Sequence, residues 1–424
     1  MEHTIATRTD GPTASGDRIF SKDFNLALLS NALAFGSFYL LLATLPLFVK
    51  HLGGSDTGVG VVMGSFAVTA VILRPFVGRY SDVSGRKRLM IWGALLLVVV
   101  SLLYGRATGV GWLILLRSAY GVGWAAFGTS AWAMASDIAP ARRRGEAMGY
   151  FGIAMNLSMA VGPAAGVLLV QRWGYGALFW AAAALAGAAA LASLGVSSDH
   201  VTRSSRAAAP AGTRAVLLRS ALFPSAVLIC MALTYASVIT FLPVYADVRG
   251  LGNPGIFFSV YAVFLIVSRG PLGKASDRFG RGQVVAPGMA MIAASMLLLA
   301  WVSTFAGMLV VAALYGLGVG AVQPVLMAWT VDRARSSERG AAMGTFTAAM
   351  DVGVGLGSLT WGIVADSAGF GAVYVGSAAV GMVGLVMLVA GGGLRSAAVG
   401  PIHSLRGDGG VADGAAASAV SRTR

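Results

Sequence analysis

Acidic residues and cysteine are scarce in this 424-residue chain: 17 Asp and Glu stand against 31 Lys and Arg, and Cys230 is the single cysteine. One thiol excludes an internal disulfide framework and leaves thiol-based redox chemistry unsupported. The four histidines, His3, His51, His200 and His403, fall outside the long apolar runs, so nothing suggests a membrane histidine relay or a metal site. No Walker phosphate-binding sequence occurs, which leaves an ion gradient or passive movement as the energy source for any transport. No cofactor motif is present, and an enzyme is not the expectation. Charged residues make up only 11% of the chain against 57% hydrophobic ones, too thin a polar coat for a water-soluble core of this length.

What the chain has in abundance is long apolar runs. Twelve are placed at 25–49, 57–78, 89–105, 110–134, 147–169, 175–195, 219–246, 254–273, 284–304, 307–331, 341–364 and 370–391. Each approximates the length that crosses about 30 Å of hydrocarbon at about 1.5 Å per residue. The first follows a polar head without a small-residue cleavage signature, so it reads as a retained helix. The formal charge of +14 raises the question of nucleic acid, and its placement answers against that. Basic clusters (Arg86–Arg88, Arg142–Arg144, Arg203 to Arg214, Lys274 to Arg281, Arg333 to Arg339) recur after even-numbered spans, while the other side receives little beyond Lys50, Arg106, Arg172 and Arg249. This is the positive-inside pattern. It implies a multi-pass protein of the cell membrane with both termini in the cytoplasm, its basic turns touching anionic lipid.

An internal repeat follows. Displacement by 195 residues superposes Arg74 on Arg269, Gly78 on Gly273, Asp82 on Asp277, Gly85 on Gly280 and Arg86 on Arg281. The same register aligns "YGVG" (120–123) with "YGLG" (315–318), Asp137 with Asp332, and "RGEAMG" (144–149) with "RGAAMG" (339–344). The expected organisation is an all-α polytopic membrane protein. It has an N-terminal segment (1–24), a six-helix bundle (25–195), a linker (196–218), a second six-helix bundle (219–392) and a disordered tail (393–424). Two parallel halves suggest a transporter rocking about a site near the bilayer midplane.

"GRYSDVSGRKR" (78–88) and its counterpart "GKASDRFGR" (273–281) resemble the signature loop of the major facilitator superfamily. That resemblance covers about residues 22–392 and implies a cytoplasmic latch between the halves. Its residues would be Gly78, Asp82, Gly85, Arg86 and Asp137, with Gly273, Asp277, Gly280, Arg281 and Asp332. "RSAYGVG" (117–123) is similar to the family's arginine-bearing motif in span 4. In span 5, "GYFGIAMNLSMAVGPAAG" (149–166) resembles the glycine-proline motif of proton-coupled exporters through Gly149, Gly162, Pro163 and Gly166. The resemblance implies a drug or metabolite:proton antiporter that works as a monomer. Uptake with protons, lipid flipping and a nontransporting sensor or scaffold stay open as alternatives.

An ionisable group deep in a span is costly, and function is the first explanation to test. Asp351 lies about 18 Å along its helix from Arg339, near mid-bilayer. Proton coupling, a polar clamp and direct substrate contact are its three possible roles; its repeat partner is Asn156. Arg117, whose counterpart is Ala312, is a poor proton carrier and can instead tune a carboxylate, hold structure or recognise substrate charge. Arg74 and Arg269, one turn before their loops, are expected to snorkel to the surface. The family arrangement implies a small-organic-substrate pocket walled by Phe38, Tyr39, Trp124, Tyr235, Tyr315, Gln323 and Trp329, aromatic and with few fixed charges.

Overall fold

A backbone in lipid must satisfy its own hydrogen bonds, and these apolar runs do so as helices. In a computed structural model, residues 19–197, 219–335 and 338–391 are described, without the side chains of Pro75, Arg79, Asp82, Val83, Ser84, Ala141 and Arg219. The helices are α1 (Lys22–Leu42), α2 (Thr44–His51), α3 (Asp56–Ser84), α4 (Arg86–Tyr104), α5 (Val110–Ile138) and α6 (Arg144–Leu194), then α7 (Arg219–Val248), α8 (Gly255–Phe279), α9 (Arg281–Leu299), α10 (Phe305–Asp332) and α11 (Arg339–Ala390). Side-chain caps mark three starts: Ser21, Ser55 and Thr304 accept from the amides of Phe24, Gly58 and Gly307. The interruption between α1 and α2 follows from Pro46, whose ring opposes the Leu42 carbonyl four residues earlier. The expected linker and tail lie mostly outside the described residues, as does nearly all of the N-terminal segment before α1.

Ten continuous helical stretches, not twelve, are long and apolar enough to cross a membrane among the described residues. The difference lies in α6 and α11, which run for 51 and 52 residues. At about 1.5 Å per residue either would exceed twice the hydrocarbon thickness. Each contains one non-helical residue, Gly174 (φ 78°, ψ 177°) in α6 and Gly369 (φ 78°, ψ 172°) in α11. Only glycine takes that conformation without steric cost, so the chain turns within a single residue where a loop was expected. Divided there, the ten stretches hold twelve segments of spanning length. The two glycines are themselves 195 positions apart, so the sequence repeat extends to the backbone.

Two interfaces bring the first six helices against the last five. Gly60 of α3 lies so close to α11 that a Cβ would strike the Ser358 carbonyl, and Gly255 of α8 lies as close to Pro163 and Ala164 of α6. These contacts are also related by the 195-residue displacement. At the end of the first interface the Asp366 carboxylate accepts from the Asp56 and Thr57 amides, both at 2.8 Å. At the second, Asn253 Nδ2 donates to the Ala164 carbonyl at 3.2 Å, and the Ser259 hydroxyl donates to that of Ala160. Further along α3 and α8, toward the basic turns, a Cβ at Gly78 or Gly273 would meet no described atom within 4 Å. These described contacts close the face opposite the basic turns. Large apolar side chains on the outside, such as Trp173 and Trp180 at 68% and 69% exposure, suit contact with lipid.

Candidate functional site

Between the closed face and the basic turns lies a cavity of 310 Å³ walled by helices from both halves. Helix α1 supplies Phe38 and Tyr39, α5 supplies Arg117 and Trp124, and α7 supplies Tyr235. Helices α3, α8, α10 and α11 contribute Arg74, Arg269, Gln323 and Asp351. Phe38 stacks on Trp124 with ring centroids 4.7 Å apart, giving a flat apolar wall.

Five of the seven expected pocket residues line this cavity: Phe38, Tyr39, Trp124, Tyr235 and Gln323. Tyr315 and Trp329 do not. The Tyr315 hydroxyl is buried 3.2 Å from that of Thr234, and Trp329 packs on Phe223 at 5.7 Å. The cause is helical rotation: Tyr315 and Trp329 lie roughly 80° and 120° around α10 from Gln323.

The expectation of few fixed charges also fails. Three arginines against one aspartate leave the wall with a formal excess of two positive charges. Asp351 is ion-paired with Arg74, joining α11 to α3 across the halves. Arg74 and Arg269 therefore turn into the cavity wall, where Arg74 meets a carboxylate. Arg269 is half-buried, and its Nε has no hydrogen-bond partner. Asn156, 3% exposed in the same wall, has an unpartnered Oδ1.

Arg117 is 1% exposed and among the largest fully buried side chains. Its guanidinium carbon sits 4.5 Å from the centre of the Phe66 ring, 5.4 Å from Tyr120 and 5.7 Å from Phe38. Those ring faces attract the charge without taking its N–H bonds. Nε and Nη1 have no hydrogen-bond partner.

The loop residues form a second, repeated arrangement. Arg86 pairs with Asp137 and donates to the Ala133 carbonyl at 2.7 Å. Arg281 meets Asp277 at 2.5 Å and Asp332 at 3.1 Å. These pairs tie α4 to α5 and α9 to its neighbours α8 and α10, each within one half. These described pairs do not link the halves, and the Asp82 side chain lies outside the described residues. Gly85 and Gly280, with φ of 92° and 100°, make the two turns.

The span-5 residues serve close packing at three of four positions. A Cβ at Gly162 would lie 2.6 Å from that of Tyr39, Gly166 abuts the Leu40 carbonyl, and Pro163 faces Gly255. Gly149 has no such neighbour. No group of three or more His, Cys, Asp or Glu side chains is placed to hold a metal among the described residues.

Comparison with known proteins is consistent with this geometry. The chain matches the Major Facilitator Superfamily over residues 27–267 and 254–399. It is 27% identical to multidrug resistance protein MdtG of Proteus mirabilis, over 81% of this chain and 89% of that protein. It is 22% identical to the staphylopine export protein of Staphylococcus aureus, again over 81% and 89%. A crystal structure of the peptide transporter POT superposes with a TM-score of 0.72 at 13% identity, covering 88% of this chain and 95% of the other, a likeness of fold.

Proposed function

Because the chain belongs to the Major Facilitator Superfamily, a family of multi-pass membrane transporters, we propose that it exports small organic compounds from the cell in exchange for protons, with Asp351 as the proton-carrying group. The observation that carries this reading is the Arg74–Asp351 pair. It is a carboxylate in the wall of the central cavity held by an arginine from the opposite half. A proton on Asp351 removes the charge on one side of that link, so protonation and the relative position of the halves are coupled. Related efflux proteins support the outward direction.

With the basic turns in the cytoplasm, the closed face is extracytoplasmic and the cavity is placed to load from inside. The halves then correspond to residues 25–195 and 219–392, the basic turns rest on anionic lipid, and one copy is the working unit. The paired turn residues hold each half rigid while the halves move against each other.

A second reading, uptake of compound and proton together, is favoured by the arginine excess: a negatively charged compound and a proton reinforce each other's binding in one cavity. Everted vesicles separate the two. Compound-dependent collapse of a preformed proton gradient is expected for exchange. Compound entry into intact cells driven by an inward proton gradient would replace exchange by co-movement.

A further inference from the structure

We infer that the cavity selects organic anions, gripping the anionic group with Arg117 and Arg269 and the apolar body against Phe38 and Trp124. The inference rests on the cavity being the transported compound's site, and it holds whichever way the proton moves.

Symmetry supplies the first support. Arg74 has Asp351 as its counter-ion, while the residues related to them by the 195-residue displacement are Arg269 and Asn156. An amide carries no charge, so Arg269 lacks the neutralisation that Arg74 enjoys. Arg269 Nε and Asn156 Oδ1, both in the cavity wall, are without hydrogen-bond partners.

Arg117 supplies the second, independent support. It is 1% exposed, lines the same cavity and has two unpartnered N–H groups. Guanidinium does not shed its proton under ordinary conditions, so it cannot relieve burial by becoming neutral. Buried donors left unsatisfied are costly, and an anionic oxygen of a carboxylate, phosphonate or sulfonate can accept from them.

Size and charge narrow the class. A volume of 310 Å³ suits a drug-sized molecule and not a two-chain lipid. The formal excess of two positive charges opposes organic cations. The stacked Phe38 and Trp124 rings suit an aromatic or otherwise flat apolar body.

The test uses the full-length chain in phosphatidylcholine nanodiscs with two probe sets, 2-naphthoate and indole-3-acetate, each alongside its amide and its amine counterpart. Binding is read by calorimetry. The carboxylates are expected to bind at least about tenfold more tightly than the amides. Arg117→Gln and Arg269→Gln should each weaken carboxylate binding about tenfold or more and weaken amide binding by clearly less. Should the buried Arg117 variant fail to fold, the half-buried Arg269 variant decides.

Equal or tighter binding of the amide or amine, absence of carboxylate binding, or equal losses for carboxylate and amide in the variants would overturn the inference. Failure of the transport reading looks different. Carboxylate binding without flux in liposomes removes transport and keeps the anion site; flux of neutral compounds without carboxylate binding does the reverse.

Discussion

Two arginines at equivalent places in the repeat have different company. Arg74 is held by Asp351 across the interface of α3 and α11, whereas Arg269, opposite Asn156 in the repeat, keeps an unpartnered Nε. One oxygen-for-nitrogen difference between Asp and Asn thus divides a nearly symmetric cavity. The neutralised side suits a proton, which can be exchanged at the carboxylate. On the other side, the charge of Arg269 has no carboxylate paired with it among the described salt bridges. In the mechanism proposed above, symmetric halves provide the rocking scaffold, and the departures from symmetry, Asp351 against Asn156 and Arg117 against Ala312, are assigned the chemistry.

The sharpest way to break the comparison is to complete the symmetry. Asn156→Asp offers Arg269 the counter-ion that Arg74 already has, and organic-anion affinity should fall about 10- to 100-fold, the value of a charged hydrogen bond. Calorimetry in nanodiscs checks it, with circular dichroism to confirm the fold. A smaller effect is expected at the closed face. Gly60→Val forces a side chain into the Ser358 carbonyl and should disfavour closure by about 1–3 kcal/mol. The readout is faster thiol labelling of a cysteine placed at Leu359 in a Cys230→Ser background; an unchanged rate would mean that the interface is not a moving seal. The smallest effect belongs to Asp366→Ala, which removes the carboxylate capping the Asp56 and Thr57 amides. That contact is exposed, so opening should become easier by about 1 kcal/mol or less, checked with the same labelling assay.

Much of this was legible in the sequence, for reasons that also explain what was not. Asp351 and Arg117 stood out because a charge within an apolar run has few bland explanations. The repeat was readable because turn glycines and basic residues recur at one displacement. The Gly174 and Gly369 hinges were not distinguished from loops, since one glycine can accomplish what several loop residues do. Rotations were the hardest part. Helices such as α10 are apolar on every side, so periodicity could not tell Gln323, which lines the cavity, from Tyr315 and Trp329, which pack behind it. Arg74 and Arg269 were masked by their nearness to basic turns, where snorkelling is the ordinary expectation. Reading the repeat as pairs, with Arg74 and Arg269 set beside Asp351 and Asn156, was the signal that could have placed them.

The division of labour rests most directly on Asp351. Substitution Asp351→Asn keeps the approximate shape and makes the neutralised side resemble the Asn156 side, while removing the exchangeable proton. Proton flux and compound flux are to be measured from the same purified, reconstituted preparation across pH. The expected result is a folded protein that still binds compound but no longer moves protons with it, its compound flux insensitive to a proton gradient. Wild-type stoichiometry and wild-type pH dependence in both fluxes would contradict the assignment and leave Asp351 as a clamp between the halves.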